Sequence, residues 1–279
     1  MIRFPGNSDP DTYWQICEVY GYFPLIDHHP IFDTVIFSAF WKFGDVFSNN
    51  TISVFVYCTI QMILTALAFG YSIAYCAKRG VAPLIRKLMC AFYSLYPFVV
   101  LSAQTMNKDA LYAWIFVFAF VLLAEIVMTK GRAFSNAEFI VIFVAVSFLC
   151  MLTKKTGVYV FLISMIIVFF FSENKMEIAL FTIGPVIVFM VLYSHVLLGA
   201  LNIDEGEQRE MLSVPSQQVG LLVRDVGESF NESDWNILNS VYKNADKLGQ
   251  LYVPYRSDAT KNTWKETAST SEKSAFFMW

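Results

Sequence analysis

Charge is scarce in this chain. Only 15% of its 279 residues are Asp, Glu, Lys or Arg while 56% are hydrophobic, against about 25% and 45–50% in soluble domains. That balance excludes an ordinary soluble globule and points to lipid as the solvent. No basic patch interrupts the net charge of −3, which excludes a nucleic-acid surface. Cysteine is sparse, and Cys58, Cys76, Cys90 and Cys150 fall in or beside apolar runs, leaving only Cys17 in a polar stretch. Such a distribution excludes a disulfide framework. The first residues, MIRFPGNSDP, turn polar almost at once, which argues against a cleavable signal peptide. No internal repeat is visible.

Long apolar runs are what the chain does have, at about 52–77, 88–104, 109–128, 137–152, 157–172 and 177–200. A full bilayer span takes roughly 20 residues. The first, third and sixth runs meet that length. The second is interrupted by Pro97, and the fourth and fifth are short and separated by a TKKTG turn at 153–157. The expected fold is therefore mainly α, a polytopic transmembrane helical bundle of about six apolar segments. An acidic outer loop region over 1–50, with short helical pieces, would precede the membrane region of 51–201. A polar, mostly helical tail over 202–279 would follow it.

Side assignment rests on the cations. Lys78, Arg79, Arg86 and Lys87 follow the first run, and Lys130 and Arg132 follow the third. Placing them in the cytoplasm puts the N-terminal loop, the NKD turn at 107–109, the TKKTG turn and the tail outside. Lys108, Lys154 and Lys155 then lie on the face the rule disfavours, beside an acidic loop, which suggests an anionic ligand there. The tail carries two amphipathic patterns, Val219–Leu222–Val223–Val226–Phe230 and Trp235–Leu238–Val241–Tyr242–Ala245–Leu248. It is too poor in apolar residues to predict a core of its own, and the closing SAFFMW reads as the start of another apolar run. His195, among apolar neighbours in a span, reads as a hydrogen-bonding group inside the bundle.

The stretch from Phe4 to Asp33 concentrates the chemistry, with Asp9, Asp11, Asp27 and Asp33, Glu18 and two of the three histidines among proline turns. Asp9 and Asp11 are two apart on an extended segment, so both carboxylates can face one way. Such a pair holds a divalent cation (Mg2+ or Mn2+) or supplies a general base. The competing reading is helix capping, with Asp11 capping a helix that starts at Thr12. In Asp27–His28–His29–Pro30 a carboxylate sits beside two imidazoles, of which His29, held extended before Pro30, is the better partner for Asp27. The competing reading is a polar interfacial turn. In Asn107–Lys108–Asp109, Lys108 is placed to meet phosphate while Asp109 fixes it, unless Asn107 or Asp109 simply caps the following helix. Lys154 and Lys155 are either phosphate contacts or lysines snorkelling at a helix end. Pro215–Ser216–Gln217–Gln218 presents amides to a sugar or phosphate, or is a plain helix start.

Taken in order, PGNSDPD followed by Gln15, PLIDHHP, NKD before a span, TKKTG between spans, PSQQ opening the tail and LYVPYRSDATK at 251–261 resemble the GT-C superfamily of multi-pass glycosyltransferases, and within it a bacterial branch. The resemblance covers most of the chain and lies in the order of the motifs. It implies an enzyme of the cell envelope that transfers a sugar from a polyprenyl-phosphate donor, at the outer membrane face, to a glycan, lipid or protein acceptor. Asp11 would be the base with Asp9 as its partner, and Lys108, Lys154 or Lys155 would contact the lipid phosphate. Metal dependence varies across that superfamily. A span before the first outer loop and further spans after 201 would complete its pattern, which implies a piece of a longer protein. The competing functions are a transporter or flippase of lipid-linked saccharides and a non-catalytic membrane scaffold. A transporter places ionisable groups near the bilayer midplane, whereas here the polar clusters gather at one face.

Overall fold

The computed structural model describes residues 3–173, 175–201 and 203–279, and the side chains of residues 171, 194, 195 and 205 lie outside that description, so the reading of His195 does too. The chain is mainly helical and divides into two compact units, one ending at Asp204 and the other Glu205–Trp279.

In the first unit, α1 (Pro10–Val19) and α2 (Ile31–Asp45) precede α3 (Asn50–Lys78), α4 (Pro83–Leu95), α5 (Pro97–Ser102) and α6 (Lys108–Met128). Then come α7 (Ala137–Thr153), α8 (Lys155–Phe171) and the long helical stretch α9 (Lys175–Leu201). Three of these, α3, α6 and α9, are long and apolar enough to cross a membrane. At 1.5 Å per residue the 17 residues of α7 and of α8 reach only about 25 Å, short of a hydrocarbon core of about 30 Å. Pro97 breaks the second apolar run because it has no N–H to continue the ladder of α4. Pro185 acts differently within α9, where the turns just before it, Ala179–Ile183, widen to π-helical spacing. That widening relieves the clash between the proline ring and the carbonyl four residues back.

The region before residue 50 is more regular than a loop. IFDTVIFSAFWKF buries Ile31, Thr34, Phe37 and Ser38 on one face, and this stripe at helical spacing makes α2 a helix of 15 residues. It packs between α1 and α3, while α6 packs on α3 and α7 on α6. One apolar cluster joins Ile16, Phe37, Val54, Tyr57, Met106 and Ile115. A second joins Ile126, Phe134, Phe143, Met165, Ile178 and Phe189 toward the other end of α6. Asn7–Ser8 pairs in parallel with Thr105–Met106, and Gln61 donates to the carbonyls of Ala103 and Thr105 at 3.1 and 2.8 Å. Those bonds satisfy backbone groups at the turn between α5 and α6, where no helix ladder can.

The second unit corrects the expectation of a coreless tail. Helices Ser213–Val226, Glu232–Val241 and Thr270–Met278 enclose a cluster of Val219, Val223, Leu238, Tyr242, Leu248, Trp264 and Phe276. The rings of Tyr242, Trp264 and Phe276 meet mutually at 5.3–5.5 Å. Leu222 and Val226, counted on the inner stripe by periodicity, are exposed. Trp264 and Phe276 take their place, so the closing SAFFMW contributes to this core.

Between α7 and α8 the backbone passes close to itself. A Cβ on Gly157 would lie 2.7 Å from the Cys150 carbonyl oxygen, whereas one on Gly184 would meet nothing within 4 Å. Gly157→Ala is expected to destabilise the purified protein by about 1–3 kcal/mol, as overpacking does, with Gly184→Ala close to neutral. Matched thermal unfolding in detergent checks this, and equal melting temperatures for the two variants would contradict it.

Candidate functional site

Three short connections and the starts of α1, α6 and α8 meet at one end of the first unit. Asp9 caps α1, accepting from the Thr12 backbone N–H at 2.9 Å and the Thr12 hydroxyl at 2.8 Å. The cap therefore belongs to Asp9, and Asp11, in the first turn of α1, is left to face outward. Its Oδ2 lies 2.9 Å from the Lys108 ammonium. Asn107 caps α6 by accepting from Ala110 N at 2.7 Å, which likewise leaves Asp109 available, and Asp109 pairs with Lys154. Lys154 itself is extended, φ −152° and ψ 120°, between the end of α7 and the start of α8.

Lys108 also meets the ring of His29, with Nδ1 2.8 Å from its Nζ. An ammonium only donates, so Nδ1 accepts and the ring is neutral with its proton on Nε2. Its pKa agrees. Burial, then the charge of Lys108, pushes His29 down to about 3. Asp11 is partly buried, which raises its pKa, yet the hydrogen bond and charge of Lys108 outweigh that and hold it below the ordinary value.

Asp27 is 5% exposed. Its carboxylate accepts from the Lys155 ammonium at 2.8 Å and the Tyr193 hydroxyl at 2.7 Å, and Lys155 also reaches the Asp27 carbonyl. Tyr193 lies in a second π-helical stretch of α9, Leu192–Leu198, and packs beside the small cluster of Ile31, Leu198 and Ile203. The structure thus brings together Asp11, Asp27, His29, Lys108, Asp109, Lys154 and Lys155. Gln217 and Gln218 belong to the second unit, where Gln217 donates to the Val253 carbonyl at 2.8 Å and Gln218 is exposed.

Asp33 is the residue that sequence reasoning left without a role. It is 0% exposed, and neither carboxylate oxygen has a hydrogen-bond partner among the described residues. Burial raises its pKa to about 8, with Lys108 and Lys154 pulling down and Asp109 pushing up. A lone carboxylate in the apolar run IFDTVIFSAF was the available signal. Tyr193, a hydroxyl inside a span, gave none. Asp33 senses Lys108 and Lys154, and His29 senses Lys108 and Lys155, so the three lysines share one electrostatic neighbourhood.

A metal does not suit these residues well. Asp9 spends one oxygen on its cap and Asp11 faces an ammonium, and no group of three or more His, Cys, Asp or Glu side chains is gathered for an ion among the described residues. The cations that this site offers an anion are therefore its own lysines.

A family model matches residues 21–275 and is described as a family of unknown function, DUF6020. The chain belongs to that family. No curated protein and no solved structure matches it.

The Asp33 carboxyl has a testable consequence. Its folded pKa of about 8 lies above the ordinary value near 4, so between those values the fold holds a proton that the unfolded chain has released. Stability is full at low pH and falls as pH rises through about 8. From pH 6.5 to 8.5 the loss from this group is roughly 2 kcal/mol. Asp33→Asn removes that part of the slope and leaves the smaller part due to Glu18, which burial raises to about 7. Parallel unfolding curves at the two pH values check it, and an undiminished slope in Asp33→Asn would count against the assignment.

Proposed function

We propose that this member of DUF6020 is a multi-pass membrane glycosyltransferase of GT-C type, which moves a sugar from a polyprenyl-phosphate donor to a cell-envelope acceptor. The observation that carries the reading is the gathering of three lysines, each against a carboxylate, at one end of the long apolar helices. These partners come from positions 97, 45 and 128 residues apart. The six apolar stretches are read as six passes, with α4 and α5 forming one kinked pass. The cations after α3 and α6 face the cytoplasm on the positive-inside rule, which puts Asp11, Lys108, Lys154 and Lys155 at the outer face.

The chemistry follows from exchange of partners. While Lys108 holds Asp11, the carboxylate is a weak base. A donor phosphate between Lys108, Lys154 and Lys155 draws the ammonium away, and the basicity of Asp11 rises. The acceptor hydroxyl then attacks the anomeric carbon and passes its proton to Asp11. As the new glycosidic bond forms, the bond from the anomeric carbon to the phosphate oxygen breaks. The departing phosphate is stabilised by the lysines. His29, neutral and accepting from Lys108, aims that ammonium, and Asp27 with Tyr193 does the same for Lys155. A flippase for the same lipid would need ionisable groups along the middle of its spans, whereas these pairs crowd one end.

Asp11→Asn is expected to lower transfer by about 10²–10⁴-fold, the usual worth of a general base, with membrane insertion and expression unchanged. Lys108→Met should impair transfer and donor binding together. Purified protein given radiolabelled polyprenyl-phosphate sugars and envelope acceptors provides the assay. Full transfer by Asp11→Asn would remove it from the role of base, and the absence of any transfer by wild type would count against the enzyme.

A further inference from the structure

We infer that the opposite end of the spanning region holds an anionic membrane lipid, with its phosphate on Arg86 and one chain in the cavity between α3, α4 and α6. The inference is independent of the proposed reaction. That cavity has a volume of about 410 Å3 and is lined by Ser72, Tyr75, Cys76, Met89, Tyr93 and Ala124, among others. Its size falls in the range of ligand sites, about 300–1,000 Å3. The lining surface is mostly apolar, with Phe116, Val117, Phe120 and Val121 of α6 facing it, as a hydrocarbon chain requires.

Helical phase puts cations at its mouth. Residues three and four apart share a helix face, so the stripe Ser72–Tyr75–Cys76 of α3 continues to Arg79. The stripe Tyr93–Met89 of α4 runs back to Arg86 in the same way. Arg79 is already engaged by Glu125 of α6, lies over the Tyr75 ring at 5.3 Å and donates to its hydroxyl at 3.2 Å. Arg86 is different. Its Nε is buried and has no hydrogen-bond partner among the described residues. A buried guanidinium N–H left without an acceptor is costly, and a phosphate oxygen is the acceptor its planar fork matches best. Lys87 beside it and Lys78 at the end of α3 are both exposed, which adds positive charge around one headgroup.

The rest of α4 agrees with a lipid setting. None of its residues is buried in the protein, and Leu84, Ile85 and Leu88 are exposed. A free phosphate would satisfy Arg86 but leave the cavity unfilled. A zwitterionic lipid would fill the cavity and leave the cations unbalanced. An anionic phospholipid does both.

Native mass spectrometry of the full chain in detergent, titrated with phosphatidylglycerol and with phosphatidylcholine of the same chains, tests this. Wild type should prefer phosphatidylglycerol by about five-fold or more, the usual worth of one basic residue at a lipid surface. Arg86→Gln should lose about five-fold for phosphatidylglycerol, and less for phosphatidylcholine, whose phosphate is already neutralised by its own choline cation. Ala124→Leu, which fills the cavity and keeps every charge, should weaken both lipids. Equal affinity of wild type for the two lipids would overturn the proposal without reference to any variant. So would phosphatidylglycerol binding that neither substitution changes.

Discussion

Asp27 is the point on which the site's geometry depends. Its carboxylate is 7% exposed and takes one bond from Lys155 and another from Tyr193. Breaking a buried ion pair by removing one partner is strongly destabilising, because it leaves an uncompensated charge. The segment around Asp27 is thereby fastened to the start of α8 and to the end of α9, 128 and 166 residues away. Fixing Asp27 fixes His29 two residues later. His29 holds Lys108, and Lys108 holds Asp11. The order of the contacts runs from a buried anchor outward to the more exposed carboxylate, which is the arrangement an adaptable reaction centre needs.

Charge is distributed accordingly along the first unit. One end carries the three lysine–carboxylate pairs, and the other carries Arg79–Glu125 and Lys130–Glu173. Between them lie clusters such as Phe143, Met165 and Phe189. Polar groups in that interval are neutral and mostly satisfied locally, as with Ser147, whose hydroxyl returns to the carbonyl four residues back. The low-dielectric interior thus separates two polar regions that serve different ligands on the readings given above.

Much of this was legible in the sequence. Apolar length alone located α3, α6 and α9, because a span is a matter of consecutive residues. Proline chemistry located the break at Pro97. The type of residue at Asp11, Asp27, His29, Lys108, Asp109, Lys154 and Lys155 suggested a charged site, although spacing left capping as an equal reading for several. Capping was settled by local backbone geometry that sequence does not carry, with Asp9 and Asn107 taking the caps. Asp33 and Tyr193 stayed hidden because each owes its importance to burial against distant elements. The tail core escaped notice because Trp264 and Phe276 complete it from well beyond the amphipathic helices. For Gln217 a ligand-facing amide and a plain helix start were both open, and it lies in the first turns of Ser213–Val226, bonding the Val253 carbonyl of its own unit.

The most direct measurement of the central claim is a double-mutant cycle between Asp27 and Lys155. Unfolding free energies would be compared for wild type, Asp27→Asn, Lys155→Met and the double variant. If the buried carboxylate anchors the site through that lysine, the two substitutions are non-additive by about 0.5–3 kcal/mol, the coupling of residues in one ion-pair network. Strict additivity would mean that the pair does not hold the site together, and would contradict the account.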